Sequence, residues 1–284
     1  MNRQAQAETQ SPFPRPIALT VAGFDPSSGA GVTADLKVFA AYGVYGIACI
    51  SALTVQSTLG VRSVEPVAAE TIRETLDCLR EDVTPAGVKV GMLATAAAVG
   101  EISQFFVESG IDRQRVVLDP VTRSSSGREL LDSEGIVRLQ AELLAYVSWI
   151  TPNMDELAVL VEMKAIGKDS VPEAAAKLQA LAAVAGNPEL HVLVTGGHLN
   201  PPDDFLLLPS GEALWLEGER VETQSTHGTG CALSSALLCE LIAGKQPREA
   251  ARAAKAYVTA ALRVAYPVGK GKGPMHHLFR IDRD

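Results

Sequence analysis

Short apolar runs alternate with stretches of helical periodicity along most of the chain. The runs show no polar alternation, which is typical of strands that are buried on both faces. Between them, apolar positions recur every three or four residues, which predicts helices that each bury one face. The predicted strands span residues 17–23, 46–55, 87–91, 116–119, 148–151 and 191–195; the predicted helices begin near Gly31 and span 68–83, 94–109, 133–146, 153–161 and 171–184. This βα repetition predicts an α/β fold with a mostly parallel sheet covered on both faces.

The pattern changes in the last third of the chain. Two short apolar runs, 205–208 and 213–216, flank the turn residues Pro209-Ser210-Gly211, which predicts a hairpin and an antiparallel end to the sheet. Two alanine-rich helices are predicted at about 231–243 and 247–265.

Domain organisation follows from the absence of breaks in the sequence pattern. No linker or internal repeat divides residues 17–280, so one domain is predicted there. Residues 1–16 are polar, end in a proline-rich stretch and lack the apolar run of a signal peptide, so we expect a disordered leader.

Composition excludes several classes of partner. The formal net charge of −8 and the lack of a Lys/Arg-rich block argue against nucleic acid and anionic membranes. An anionic ligand would then need a local dipole or a metal ion. The four cysteines show no zinc-site spacing, which indicates free thiols in a reducing compartment. Since no apolar stretch is long enough to span a bilayer, we expect a cytoplasmic protein.

The segment 224–235 is predicted to be a glycine-rich loop that opens into a buried helix. Gly228 and Gly230 allow a tight turn, so that backbone N–H groups up to Cys231 can converge on an anion such as phosphate. The alternative is an ordinary glycine turn before a core helix. A thiol in the first turn of a helix is favoured as thiolate, which makes Cys231 a candidate base; Cys239 is better described as a core residue.

Polar residues also follow the predicted strands, where ligands gather in parallel sheets. Gln56 can donate and accept at once, which fits an aminopyrimidine edge, while Met92 and Val121 offer apolar walls to a flat ring. Packing or loop polarity is the alternative for each. The strand ends are Gly23, Gln56, Gly91-Met92, Asp119-Pro120-Val121, Thr151-Pro152-Asn153 and Thr195-Gly196-Gly197-His198.

Two carboxylates near these ends, Asp119 and Glu156, are candidate ligands for Mg²⁺ beside nucleotide phosphates. Glu156 can equally be a first-turn acid of its helix and Asn153 only an N-cap. His227 is left without an assigned role. A relaxed dinucleotide-binding pattern at residues 29–34 is rejected, because the second strand has no acidic residue at its end, and no Walker A sequence occurs.

These residues carry a resemblance to a known family. Over about residues 17–280 the chain is similar to the hydroxymethylpyrimidine/phosphomethylpyrimidine kinases of thiamine biosynthesis, which belong to the ribokinase-like superfamily. The matching segments, in order, are 18–23, 29–31, 34–37, 45–46, 52–56, 91–93, 118–121, 151–153 with Glu156, 196–198 and 226–231.

The resemblance implies a ribokinase-like three-layer α/β/α sandwich with an antiparallel edge hairpin, an ATP- and Mg²⁺-dependent kinase, and a homodimer. It implies that Gly23, Ala30, Gln56, Met92 and Val121 line a pyrimidine site, and that Asn153, Glu156, Thr195 and Gly197 face ATP and its metal. It further implies that Gly228, Thr229, Gly230 and Cys231 form an anion hole, with Cys231 as the base.

Two positions depart from the family pattern. Ser125 and Thr195 stand where relatives often have lysine, which weakens the prediction that the monophosphate is also a substrate. Arg123 or Arg128 is a candidate replacement for the missing charge. The alternative enzyme is a pyridoxine/pyridoxal kinase, which Gln56 disfavours. A pyrimidine-binding regulator without activity is the alternative outside enzymes, and the intact segment 228–231 argues against it.

Overall fold

One twisted sheet forms the centre of the computed structural model, which describes residues 15–124 and 127–282. Nine strands of the described residues belong to it: β1 (Ile17–Phe24), β2 (Tyr45–Ser57), β3 (Gly60–Pro66), β4 (Gly87–Val90), β5 (Val116–Leu118), β6 (Trp149–Ile150), β7 (His191–Val194), β8 (Asp204–Leu207) and β9 (Ala213–Leu216). Their order is β3-β2-β1-β4-β5-β6-β7-β8-β9. In this order, the neighbouring strands β2, β1, β4, β5, β6 and β7 pair in parallel. Strand β3 pairs antiparallel with β2, and β8 pairs antiparallel with both β7 and β9.

Helices cover both faces of this sheet because successive strand residues alternate between two cores. In β5, Val116 and Leu118 belong to one core and Val117 to the other. Helices α1 (Gly31–Ala41), α7 (Thr229–Ile242) and α8 (Pro247–Arg263) pack on the second side; α2 (Ala69–Asp82), α3 (Ala96–Ser109), α4 (Ser133–Ala141), α5 (Met154–Leu160) and α6 (Val171–Val184) pack on the first. This arrangement is the predicted three-layer sandwich.

The predicted elements differ from the observed ones in two places. Strand β3 was not predicted, because most of its residues are exposed and form no apolar run. It pairs with the end of β2 to make a hairpin at the edge opposite β9. The predicted helix 133–146 ends at Ala141, and residues Leu143–Tyr146 continue as a short 3₁₀ helix.

Two sequence predictions fall largely outside the described residues. Of the predicted leader, only Arg15 and Pro16 are described, and both are exposed. Ser125 also lies outside the described part of the chain. None of the described helices combines the length and apolar character needed to cross a membrane.

Candidate active site

A cavity of about 490 Å³ lies at the carboxyl ends of the parallel strands. Its wall continues along the β2–β3 turn and the segment before α7. With one exception, all the residues predicted from the sequence line it: Gly23, Ala30, Gln56, Met92, Val121, Asp119, Asn153, Glu156, Thr195 and the four residues from Gly228 to Cys231. The exception is Gly197, which is exposed and whose carbonyl accepts a hydrogen bond from Arg220 Nη1 at 3.2 Å.

The predicted ring pocket has an apolar side. Met92 packs in a small cluster with Ala52 and Leu130, and Val121 packs against the same cluster. Gly23 leaves room for the methionine, because a Cβ at this position would lie only 3.0 Å from Met92 Sδ. A flat ring therefore finds apolar side chains that follow two strands, Met92 after β4 and Val121 after β5, with Leu130 beside them.

The glycine loop, residues 226–231, meets the β1–α1 loop, residues 25–30, backbone to backbone. Gly228 has a φ of 80°, and a Cβ there would stand 1.8 Å from the carbonyl oxygen of Gly29. Only glycine fits this approach. Gly228 is also the N-cap of α7 and provides no side-chain cap. The first N–H groups of α7 have no intrahelical acceptor, so the positive end of the helix opens on the cavity.

The structure contradicts the sequence argument that Cys231 is favoured as thiolate. Burial raises the pKa of the Cys231 thiol to about 12, and the charges of Asp119 and Asp35 raise it further. The Lys89 ammonium and the N–H of Gly31 act in the opposite direction without reversing the shift. The thiol therefore carries its proton in the free protein, because desolvation and two carboxylates outweigh the helix terminus.

Asp119 and Glu156 form an acidic pair in the cavity. Asp119 is buried, accepts a hydrogen bond from Ser234 Oγ at 3.2 Å, and lies beside the Cys231 thiol. Burial raises the pKa of both carboxyl groups, and the neighbouring Asp119 charge helps to bring that of Glu156 to about 8. Two buried carboxylates that destabilise one another's charge are a suitable donor set for a divalent cation.

Glu156 also stabilises the start of its own helix, which is the alternative role that the sequence analysis left open. Its Oε2 accepts from the backbone N–H of Asn153 at 2.8 Å, and Asn153 Oδ1 accepts from the N–H of Glu156 at 2.9 Å. The two residues thus form a capping box at the start of α5. Among the described residues, no group of three or more His, Cys, Asp or Glu side chains could hold a metal. A cation at this pair would keep water or phosphate ligands, as Mg²⁺ commonly does.

An aspartate that the sequence reasoning missed, Asp25, organises the β1–α1 loop. It is 2% exposed, and its Oδ2 lies 2.8 Å from Nε2 of His227, for which no role had been assigned. Burial alone would raise the pKa of Asp25, but hydrogen bonds from His227, Ser27 and Gln56 hold it well below its usual range. The sequence signal that could have identified Asp25 is its position directly after β1, at the same strand end as Gly23.

A second missed feature is a buried ion pair beneath the glycine loop. Lys89 Nζ lies 2.9 Å from Asp35 Oδ2, and both side chains are fully buried. Asp35 also accepts from Thr20 Oγ1 at 2.6 Å and from Ser235 Oγ at 2.8 Å. Lys89 reaches the cavity lining, so its positive charge lies under the acidic pair. A lysine inside the apolar run of β4 was the sequence signal.

The two candidate replacements for the missing lysine lie in different places. Arg123 lines the cavity. Its side chain is 60% exposed, and its Nη2 lies 3.4 Å from Glu129 Oε1. Arg128 instead donates to the backbone carbonyl of Arg62. Lys272, from the glycine-rich segment after α8, is another cation of the cavity lining.

Sequence comparison identifies relatives over nearly the whole chain. A model of the phosphomethylpyrimidine kinase family matches residues 25–276. A hydroxymethylpyrimidine/phosphomethylpyrimidine kinase of Rhizobium meliloti is 39% identical over 271 residues, covering 94% of this chain and 99% of that protein. A protein of the same description from Streptomyces coelicolor is 37% identical and covers 94% and 96%, respectively.

Solved structures give the same result for the fold. The ADP complex of Bacillus subtilis pyridoxal kinase has a TM-score of 0.83 at 31% identity and covers 95% of this chain and all of that one. A phosphomethylpyrimidine kinase from Clostridium difficile 630 has a TM-score of 0.73 at 32% identity and covers 87% of this chain and all of that one. These matches confirm the predicted ribokinase-like fold.

Proposed function

Because the chain belongs to the phosphomethylpyrimidine kinase family, we propose that it transfers the γ-phosphoryl group of ATP to the hydroxymethyl oxygen of 4-amino-5-hydroxymethyl-2-methylpyrimidine, and then to the resulting monophosphate, in thiamine biosynthesis. One observation carries the proposal. A single cavity joins a flat apolar pocket to the N-terminus of α7 and to an acidic pair. Ring binding, phosphate binding and cation binding are what this reaction requires.

The pyrimidine is bound by the first of these parts. Met92 and Val121 face the ring, Gln56 hydrogen-bonds to its polar edge, and Gly23 and Ala30 allow close approach. Holding the alcohol beside the γ-phosphate supplies much of the rate, because a positioned pair of reactants avoids the entropy cost of encounter.

The glycine loop acts on the group in transfer. The alcohol oxygen bonds to the γ-phosphorus as the bond to the ADP oxygen breaks, and the N–H groups of the first turn of α7 stabilise the charge. The alcohol proton leaves late. Cys231 accepts it as its own thiol proton passes to the neighbouring carboxylate of Asp119, which makes the protonated thiol of the free protein compatible with its role as a base.

The nucleotide is held on the opposite side of the acidic pair. Asn153, Glu156 and Thr195 face ATP, with Gly197 on the exposed surface outside the cavity lining. Asp119 and Glu156 would hold Mg²⁺ through water, which leaves the Asp119 carboxylate able to take the thiol proton. When bound, the metal ion neutralises phosphate charge. For the second phosphorylation, Arg123 supplies positive charge at the cavity lining. A homodimer and a cytoplasmic location remain predictions from the sequence.

A pyridoxal kinase is the alternative activity, since such an enzyme is among the structural neighbours. A coupled ADP-release assay with the pyrimidine alcohol, its monophosphate and pyridoxal separates the two. We expect ADP release with both pyrimidines and a higher kcat/KM for the alcohol than for pyridoxal. ADP release that depends on pyridoxal alone would reject the proposal. Release that depends on neither ring would reject both activities.

A further inference from the structure

The chain turns sharply where β7 ends at the cavity. Thr195 lines the cavity, and its backbone N–H donates to the carbonyl of Pro152 at 2.8 Å. The next residues form a turn in which the Leu199 N–H donates to the Gly196 carbonyl at 2.8 Å. A Cβ at Gly196 would lie 1.7 Å from the carbonyl oxygen of Asp203, so the turn packs directly against the chain that leads into β8.

A buried carboxylate holds this turn from outside the cavity lining. Asp204 is 6% exposed, and its Oδ1 accepts a hydrogen bond from the N–H of Gly196 at 2.8 Å. Its Oδ2 lies 2.7 Å from Nζ of Lys255 on α8, and the same ammonium donates to the carbonyl of Pro202 at 2.8 Å. The two carboxylate oxygens thus have separate partners: Oδ1 fixes the turn, and Oδ2 is paired with a positive charge.

The Gly196 N–H determines the direction of the peptide group that joins it to Thr195. This peptide is trans, and in a planar trans peptide the N–H and the carbonyl point in opposite directions. With the Gly196 N–H directed at Asp204, the Thr195 carbonyl points to the other side, where Pro152 accepts the Thr195 N–H and where Asn153 lines the cavity. Asp204 therefore sets, from behind, the orientation of a peptide group at the cavity wall.

We propose that Asp204 is a positioning residue for the nucleotide: its bond to Gly196 keeps Thr195 in the orientation that a bound nucleotide contacts. The inference rests on the proposed function, in which Thr195 faces ATP. Lys255 balances the charge of the carboxylate and acts on its other oxygen. The competing explanation is that the ion pair only stabilises the packing of α8 against β8. The two explanations differ in whether nucleotide affinity follows the bond to Gly196 or the stability of the fold.

Asp204→Asn separates the two bonds while keeping the size of the side chain. An asparagine amide has one acceptor oxygen, and the Lys255 ammonium competes for it with the Gly196 N–H. Because the charged donor makes the stronger bond, the NH₂ group faces the Gly196 N–H and the turn loses its acceptor. We expect the Kd for ADP with Mg²⁺, measured by calorimetry, to rise at least about tenfold, whereas the Kd for the pyrimidine alcohol stays within about twofold.

The preceding residue provides the matched control. Asp203 Oδ1 accepts from the N–H of Gly218 at 2.9 Å, and its Oδ2 lies 2.8 Å from Nζ of Lys168. Asp203→Asn therefore makes the same chemical change, one residue earlier, at a carboxylate that holds a different segment. Its Kd for ADP should stay within about twofold of wild type, because the bond between Asp204 and Gly196 is left intact.

Removing Lys255 separates nucleotide affinity from fold stability. Lys255→Met leaves Asp204 as an unpaired buried carboxylate, so Tm should fall, but Oδ1 still holds Gly196 and the Kd for ADP should change less than about threefold. In the double variant Asp204→Asn/Lys255→Met, the amide oxygen is free to accept from Gly196, so the Kd for ADP should return to within about threefold of wild type. If the ion pair were merely structural, ADP affinity would instead fall with Tm in every variant.

Three results would overturn the inference: an unchanged Kd for ADP in Asp204→Asn, an equal loss of affinity for ADP and for the alcohol, or a double variant that binds ADP no better than Asp204→Asn. If wild type binds ADP but releases none from ATP with either pyrimidine, the proposed function fails, while the Kd values for ADP still decide the inference.

Hydrogen exchange of unmodified protein covers the case in which the variants do not fold. The Gly196 amide should already be protected in the free protein by its bond to Asp204, and ADP should slow exchange further over residues 195–199. A Gly196 amide that exchanges freely, or a turn whose exchange ADP leaves unchanged, would contradict the positioning role.

Discussion

Replacing Lys89 by methionine tests the account of the buried ion pair. Methionine keeps most of the side-chain volume and removes the charge. Asp35 then loses the bond to Nζ and keeps those from Thr20 and Ser235. Both members of the pair are fully buried, so no water replaces the ammonium. Leaving one member of a buried pair unpaired costs about 3–5 kcal/mol.

This loss is large enough to measure by thermal unfolding. For a chain of 284 residues, an unfolding entropy of about 2.1 cal/mol/K per residue gives a loss of about 1.7 °C in Tm per kcal/mol, so Lys89→Met should lower Tm by roughly 5–8 °C. The matched control is the double variant Lys89→Met/Asp35→Asn, which leaves no unpaired carboxylate at residue 35: the amide oxygen accepts from one of the Thr20 and Ser235 hydroxyls, and the NH₂ group donates to the other. It should recover at least half of the loss.

Two results would refute this reasoning. A fall in Tm below about 2 °C for the single variant would mean that water reaches Asp35 or that the pair contributes little. A double variant as unstable as Lys89→Met would mean that the loss comes from altered packing, not from the unpaired carboxylate.

Three further predictions concern the cavity and its surroundings. Cys231→Ala should lower kcat for the pyrimidine alcohol at least 100-fold, as expected for loss of a general base, and change KM less than threefold in the coupled assay. Gly228→Ala should sharply reduce soluble, folded protein, because its Cβ would collide with the Gly29 carbonyl, whereas Gly230→Ala, whose Cβ meets only Asp119 at 3.8 Å, should keep its Tm within about 2 °C. Burial and neighbouring positive charges lower the pKa of His277 to about 4. The folded state therefore resists protonation, and stability is lost as the pH falls below about 6.5; between pH 7 and pH 5, urea unfolding should lose about 2 kcal/mol more in wild type than in His277→Gln.

Each of these has an outcome that contradicts it. Cys78→Ala, at an exposed thiol, is the control for the first, and equal kcat in both cysteine variants would remove the base. Equal stability of the two glycine variants would contradict the close approach of the loops. A pH dependence that is the same with and without His277 would show that this residue is not buried as a neutral base.

Periodicity was sufficient to predict most of the fold, because buried parallel strands and their covering helices have distinct patterns. Strand β3 could not be found in this way. Its apolar valines, Val61 and Val64, are separated by two polar residues and follow no strand period, and its position depends on pairing with β2. Strand β9, at the other edge, was predicted because its residues do form an apolar run beside a recognisable turn.

The positions of the site residues could be predicted from the strand ends, whereas their ionisation and their partners could not. Most of the proposed positions meet in one cavity because the topology brings strand ends together. The ionisation of Cys231 was not predictable, since it depends on burial and on Asp119, Asp35 and Lys89, which are distant in the sequence. Asp25 was missed for a similar reason: its principal partner, His227, is 202 residues away.

The contact between Gly228 and Gly29 has a mechanical consequence. The close backbone approach, together with the 2.8 Å contact between Asp25 Oδ2 and His227 Nε2, ties the two loops to each other, so we expect the loop beside the ring and the loop beside the phosphate to move together. We then expect a ligand that shifts one loop to shift the other in the same direction, so that the spacing between the alcohol and the incoming phosphoryl group changes little.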